Sequence, residues 1–214
     1  MTFDRRTLLK LLWFYIGIVV MGFGYALIIR PGLGVAPWDI FHIGVQAKTG
    51  IALGYVIQGT GLVIILLNWT MGIRPTIGMV LNMLTFGPIM SWLLSGLPQP
   101  ESLWTRWLML LVGVFIVGLG TALYVSADIG SGPRDGMMIG LTQKFNTSLA
   151  VVKNSMDAFA ALVGWWLGGP LGLGTVVIAL TMGPSMQFGM TLVSRLAGHA
   201  PFDGFVRPVV LKRN

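Results

Sequence analysis

The sequence predicts an all-α, polytopic membrane protein built from two tandem repeats of about 96 residues. Three observations carry that expectation. The 214 residues are 55% hydrophobic and only 10% charged, against about 25% charged for a soluble domain, and mean hydropathy is +0.81. Long stretches carry no charge at all: Leu11–Ile29, Thr49–Ile73, Pro75–Pro100, Trp107–Ala127 and Ala158–Ser194. A helical span needs about 20 such residues. Finally, a shift of 96 residues superposes the chain on itself without a gap. Gly34, Pro37, Asp39 and Lys48 fall on Gly130, Pro133, Asp135 and Lys144, Trp69 falls on Trp165, and Thr85, Gly87 and Pro88 fall on Thr181, Gly183 and Pro184. Composition alone scatters glycine and leucine matches, but it does not put prolines, an acid, a lysine and a tryptophan in one register.

Each half reads alike along the chain. The first span is Leu11–Ile29 or Trp107–Val125. A basic start, "MTFDRRTLLK", precedes the first of these and suggests a signal peptide. The apolar run is too long for that, and it has a partner deep inside the chain. Next comes a Gly/Pro/Asp stretch, "GLGVAPWDIF" or "DIGSGPRDGM", leading into a short segment, Pro37–Ala47 or Pro133–Gln143. Eleven helical residues reach about 16 Å, half a bilayer. A second span follows over about Ala52–Met71 or Ser148–Leu167. After a turn comes a third, Thr76–Leu94 or Gly172–Leu192, with Gly87-Pro88 or Gly183-Pro184 expected to kink or break it. The loop Ser95–Ser102 joins the halves. The parts are thus residues 1–96, a first membrane repeat; 97–194, a second; and 195–214, a basic tail.

The short segment decides the symmetry. If it enters and returns, each half has three spans and the halves are inverted, which is the favoured 3+3 arrangement. If it crosses, the halves are parallel, 4+4. Both tails are basic, so both termini are expected in the cytoplasm and the span count is even. The net charge of +7 follows topology, so nucleic acid is not an expected partner. The bilayer is one, a small polar solute is the second, and six spans enclose so little volume that a homodimer is open. The chain has no cysteine, so thiol catalysis and Cys-based zinc sites are excluded. Two histidines make no metal site, and no cofactor motif is present.

The residues of "GLGVAPWDIF", followed by an apolar half containing "TFGP", resemble the YczE-like branch of the YczE/YyaS/YitT bacterial membrane proteins. The resemblance covers most of the chain and implies a bacterial cytoplasmic-membrane protein without an established biochemical activity. The second copy departs from the pattern, with Arg134 where the first has Trp38.

Ionisable residues at membrane depth are costly and become functional candidates by default. Asp39 and Asp135 lead. Each is the third residue of a "PxD" helix start, where an acid suits the dipole and can accept unpaired backbone N–H groups. Gly34 and Gly130 let the preceding chain turn, and with Pro37, Pro133, Gly87, Pro88, Gly183 and Pro184 they form the expected hinges. Trp38 and Arg134 neighbour the acids, and Arg134 suits an anion or an acid. His42 shares a face with Asp39, as a hydrogen-bonded structural residue or a proton relay. Lys153 and Asp157 sit four apart and can pair, unless Asp157 carries a coupling proton. Thr85 and Thr181 stand beside carbonyls that the prolines free. Met and the remaining Trp residues are expected at the lipid and its interfaces. No Walker loop, GxSxG or HExxH is present, so an ATPase or hydrolase is not expected. The reading favoured is a small secondary transporter or exporter of a small polar solute. A non-transporting scaffold docking a partner enzyme and an intramembrane lipid-acting enzyme are the alternatives.

Overall fold

The structure, a computed structural model, describes residues 5–130 and 132–197. The tail positions Arg207, Lys212 and Arg213 lie outside the described residues. Eight α-helices and no strand make up the described chain: α1 (Arg5–Ile29), α2 (Pro37–Thr49), α3 (Leu53–Thr70), α4 (Ile77–Gly96), α5 (Leu103–Ser126), α6 (Pro133–Phe145), α7 (Leu149–Trp166) and α8 (Leu173–Ala197).

The helix ends follow from local chemistry. Pro37 and Pro133 each take the first position of a 13-residue helix, after an extended residue. Pro cannot donate an N–H there, and its fixed φ suits a helix start. Thr76, Ser102 and Ser148 cap α4, α5 and α7 by accepting the N–H of Met79, Thr105 and Val151. Gly50 ends α2 at φ 72°. Gly34 and Gly130 adopt φ 115° and 129°, a region open to glycine. Each also presses on the opposite half, Gly34 on Thr175 and Gly130 on Thr76. There the backbone is shared: Gly174 N–H donates to Leu33 O at 2.8 Å and Gly78 N–H to Ile129 O at 3.2 Å.

Five helices, α1, α3, α4, α5 and α8, are long and apolar enough to cross a membrane. The second span expected in the second half, α7, has the length but is not among them, because Lys153 and Asp157 lower its hydropathy. Glycines set the close packing. Gly17 meets Tyr124 and Gly24 meets Val117, so α1 and α5 run antiparallel with their backbones almost touching. Gly54 faces Gly87 and Gly61 faces Met83, so α3 and α4 are antiparallel too. On α5 and α8, Ser185 Oγ donates to Val114 O at 2.9 Å, while Gly189 faces Gly118; these two run parallel. The core fills with Phe14, Ile18, Val117, Leu110, Met90 and Ile178. The short helices cross over: α2 packs on α7, and α6 on α3.

The prolines break nothing. α4 and α8 run on through Pro88 and Pro184, so of the kink or break expected there the break is not found. Pro88 cannot donate to Leu84 O, yet that carbonyl is not orphaned: Gln58 Nε2 on α3 donates to it at 2.6 Å. A neighbouring helix thus replaces the missing bond, as membrane proteins permit. Trp69, Trp92, Trp104, Trp165 and Trp166 are exposed near helix ends, as interfacial anchors should be. Trp13 and Trp38 differ. They turn inward, and their ring N–H groups donate to Ser126 and Asp157. Met21, Met79 and Met90 are core residues rather than lipid contacts.

Candidate functional site

The starts of α2 and α6 meet. The Arg134 guanidinium lies 5.3 Å from the centre of the Trp38 ring, so positions 96 residues apart stack on each other in a cation–π contact. Around them gather Asp39 and His42 from α2, Asp135 from α6, Asp157 from α7, Tyr25 from α1 and Tyr124 from α5. Trp38 bridges the halves: its Nε1–H donates to Asp157 Oδ1 at 3.1 Å while its ring face carries Arg134.

The three acids are held differently. Asp135 Oδ2 accepts the Tyr124 hydroxyl at 2.7 Å and the Gly132 N–H at 3.2 Å, so it caps its helix as a PxD acid can. Asp157 Oδ2 accepts Lys153 Nζ at 2.7 Å, completing the expected pair. Asp39 does not cap. No side-chain bond closes the start of α2, which corrects the expectation of a shared capping role. The residue before Pro133 is Gly132, whose N–H reaches Asp135. At the matching start the donor would be Ala36, and no such bond forms. Asp39 is 4% exposed, and its Oδ2 has no hydrogen-bond partner. Its Oδ1 stands 3.8 Å from His42 Nδ1, beyond hydrogen-bond range. His42 is 3% exposed and its Nδ1 is also unpartnered.

A cavity of about 30 Å³ opens beside this cluster, lined by His42, Thr60, Asn82, Phe86, Pro133 and Arg134 among others. That is room for one or two water-sized groups. A groove of about 450 Å³ on α8 is lined by that helix only, from Pro184 to Arg195. It is an outer face rather than an enclosure. Thr85 and Thr181 do not join the centre. Their hydroxyls donate to Leu81 O and Val177 O of their own helices at 2.7 and 2.6 Å.

Four contributors escape a sequence reading centred on charge. Tyr25 and Tyr124 supply hydroxyls at the centre, and Asn82 lines the cavity. Asn68, fully buried, donates from Nδ2 to Pro133 O at 3.0 Å and anchors the start of α6. Uncharged amides inside apolar runs were the available signal for Asn68 and Asn82. The tyrosines have no tyrosine at their repeat positions and carry none.

These features define a multi-pass helical membrane protein with a polar, ionisable centre. The chain belongs to the Family of unknown function (DUF6198), which matches residues 8–191. It is 33% identical over 184 residues to an uncharacterized protein of Haemophilus influenzae, covering 86% of this chain and 84% of that one. It is 30% identical to the uncharacterized membrane protein YczE of Bacillus subtilis, over 92% of both chains. YyaS of the same organism is 24% identical over 87% of this chain and 95% of its own. No solved structure matches.

Proposed function

We propose that this protein is a small secondary transporter or exporter, in the bacterial cytoplasmic membrane, that moves a small polar solute past the meeting point of α2 and α6. The observation that carries the reading is the Arg134–Trp38 contact within a cluster of buried ionisable groups. Such groups at membrane depth mark pathways by default, and short helices that start near the midplane are the build of many transporters. Arg134 supplies donors for an anionic group, Tyr25 a hydroxyl, and Asp39 an unpaired carboxylate.

The proposed architecture is an inverted repeat, three spans plus one half-helix in each half. The antiparallel run of α1 and α5 favours it, since parallel halves would set these helices side by side in one direction. The exchanged bonds Gly174–Leu33 and Gly78–Ile129 obey the same 96-residue shift. Both termini are then cytoplasmic, with α7 crossing despite its charges because Asp157 is held by Lys153 and Trp38.

A scaffold that transports nothing is the second reading. It draws on Asp135 and Asp157, whose acceptors are met by protein groups alone. Cysteine labelling separates the two. The chain has no native cysteine, so Trp38→Cys and Asn82→Cys can each be probed in membrane vesicles with an impermeant thiol reagent. A transporter exposes the centre to water from both faces in turn, so each variant is labelled from each side. Protection from both sides would discard the transport reading.

A further inference from the structure

The charges at the centre do not balance. Asp39, Asp135 and Asp157 face Arg134 and Lys153, which leaves one negative charge in excess. Asp135 is satisfied by Tyr124 and Gly132, and Asp157 by Trp38 and Lys153. Arg134 stands between Asp39 and Asp135, but of the three acids it is Asp39 that is nearly sealed from solvent and has no hydrogen bond at Oδ2. A buried carboxylate in that state is costly, and proteins relieve the cost by neutralising it. A metal cation would need several further oxygen or nitrogen donors. Among the described residues no group of three or more His, Asp or Glu gathers to supply them. A proton needs only the pair.

The geometry points to Asp39 and His42 as a proton-binding site, loaded with one proton on the Asp39 carboxyl and served by the His42 imidazole 3.8 Å away. Loading forms one O–H bond and makes the centre neutral, and release restores one negative charge. Tyr25 on α1 and Arg134 on α6 face the pair directly; Asp135 and Tyr124 adjoin Arg134, and Asp157 with Lys153 on α7 is joined through the Trp38 ring N–H. From α3 and α4 the nearby cavity receives only uncharged groups, among them Thr60 and Asn82. His42 lines that cavity together with Arg134, so the ring can pass a proton between it and Asp39. If the transport reading of this centre holds, on which this last step rests, the proton is the coupling ion. The structure thereby moves that role from Asp157, which is ion-paired, to Asp39.

The test is pH-difference infrared spectroscopy on the full-length protein in lipid, reading the C=O stretch of protonated carboxyls. The loaded site should give the band of a protonated carboxyl shielded from water, and release of the proton should remove it. Asp39→Asn should abolish it, and Asp39→Glu should keep it at a shifted frequency, which guards against loss by misfolding. His42→Gln should change the conditions under which the band is lost, as removal of the neighbouring imidazole requires. Asp135→Asn and Asp157→Asn should leave the signal in place. A signal that survives Asp39→Asn, or no such signal in the native protein, overturns the site. Because the reading needs no transport, a clear Asp39 signal with a centre sealed to thiol reagents would retain the proton site and remove only the transporter.

Discussion

Asp39 and Asp135 occupy equivalent sequence positions and have opposite surroundings. Asp135 accepts two hydrogen bonds, so Asp135→Ala leaves the Tyr124 hydroxyl and the Gly132 N–H without their acceptor. Bonds to a charged group are worth about 1.5–3 kcal/mol each at most sites, so a loss of this order is expected in detergent melting. Asp135→Asn keeps an acceptor and should lose less. Asp39→Asn mimics the protonated carboxyl at a position whose Oδ2 accepts no hydrogen bond, so the melting temperature should hold or rise. Equal losses in both Asn variants would mean that Asp39 is held by groups outside this account. The sequence exposed both acids through their shared "PxD" register. What it hid was the difference between Ala36 and Gly132 at the preceding position, and the presence of Tyr124. A repeat reports equivalent backbone; it is silent about which side chain from another helix arrives at each copy.

At the scale of helices, the bond between Gln58 and Leu84 makes a cycle of variants informative. Gln58→Ala strands the carbonyl that Pro88 frees, at a cost of about 1–3 kcal/mol. Pro88→Ala supplies an N–H to that same carbonyl within α4. In the Pro88→Ala background, Gln58→Ala should therefore cost close to nothing in the melting assay. A full cost in both backgrounds would show that Gln58 acts elsewhere. The helices themselves were legible, because uncharged runs, Pro at N1 and Ser or Thr caps are local signals. The continuity of α4 and α8 was not. Whether a proline breaks a helix depends on which neighbour satisfies the freed carbonyl, and that neighbour lies 26 residues away for Leu84. The second copy shows the same limit. Gly87 packs on Gly54, whereas a side chain at Gly183 would meet nothing within 4 Å.

The whole molecule depends on α1 and α5 approaching at glycines, since hydrocarbon gives helices no hydrophobic reason to associate and close packing must hold them. A side chain at Gly120 would run into the backbone of Met21, and one at Gly24 into that of Val117. Gly120→Val and Gly24→Val should each cost at least the 1–3 kcal/mol typical of overpacking, while Gly59→Val, in open space, should be tolerated. That crossing also fixes the orientation, and this can be tested without any knowledge of a substrate. If α1 leaves the cytoplasm and α5 runs against it, the loop Pro98–Ser102 and the turn at Gly50–Ile51 lie outside. The turns at Ile73–Arg74 and Asn146–Thr147 then lie inside. Parallel halves would put Gly50–Ile51 and Pro98–Ser102 inside. Arg74 and Lys144 fall on the cytoplasmic side of the inverted arrangement, in keeping with the positive-inside rule, while Lys48 and Arg106, the latter bonded to Pro100 O, fall on the outer side. Single cysteines at Gln99, Ile51 and Thr147, in whole cells and an impermeant thiol reagent, should give labelling at Gln99 and Ile51 and protection at Thr147. Protection at Gln99 and Ile51 with labelling at Thr147 would keep the inverted fold in the opposite orientation, whereas protection at all three would contradict the antiparallel crossing of α1 and α5 and with it the midplane meeting of α2 and α6 on which the transport reading depends.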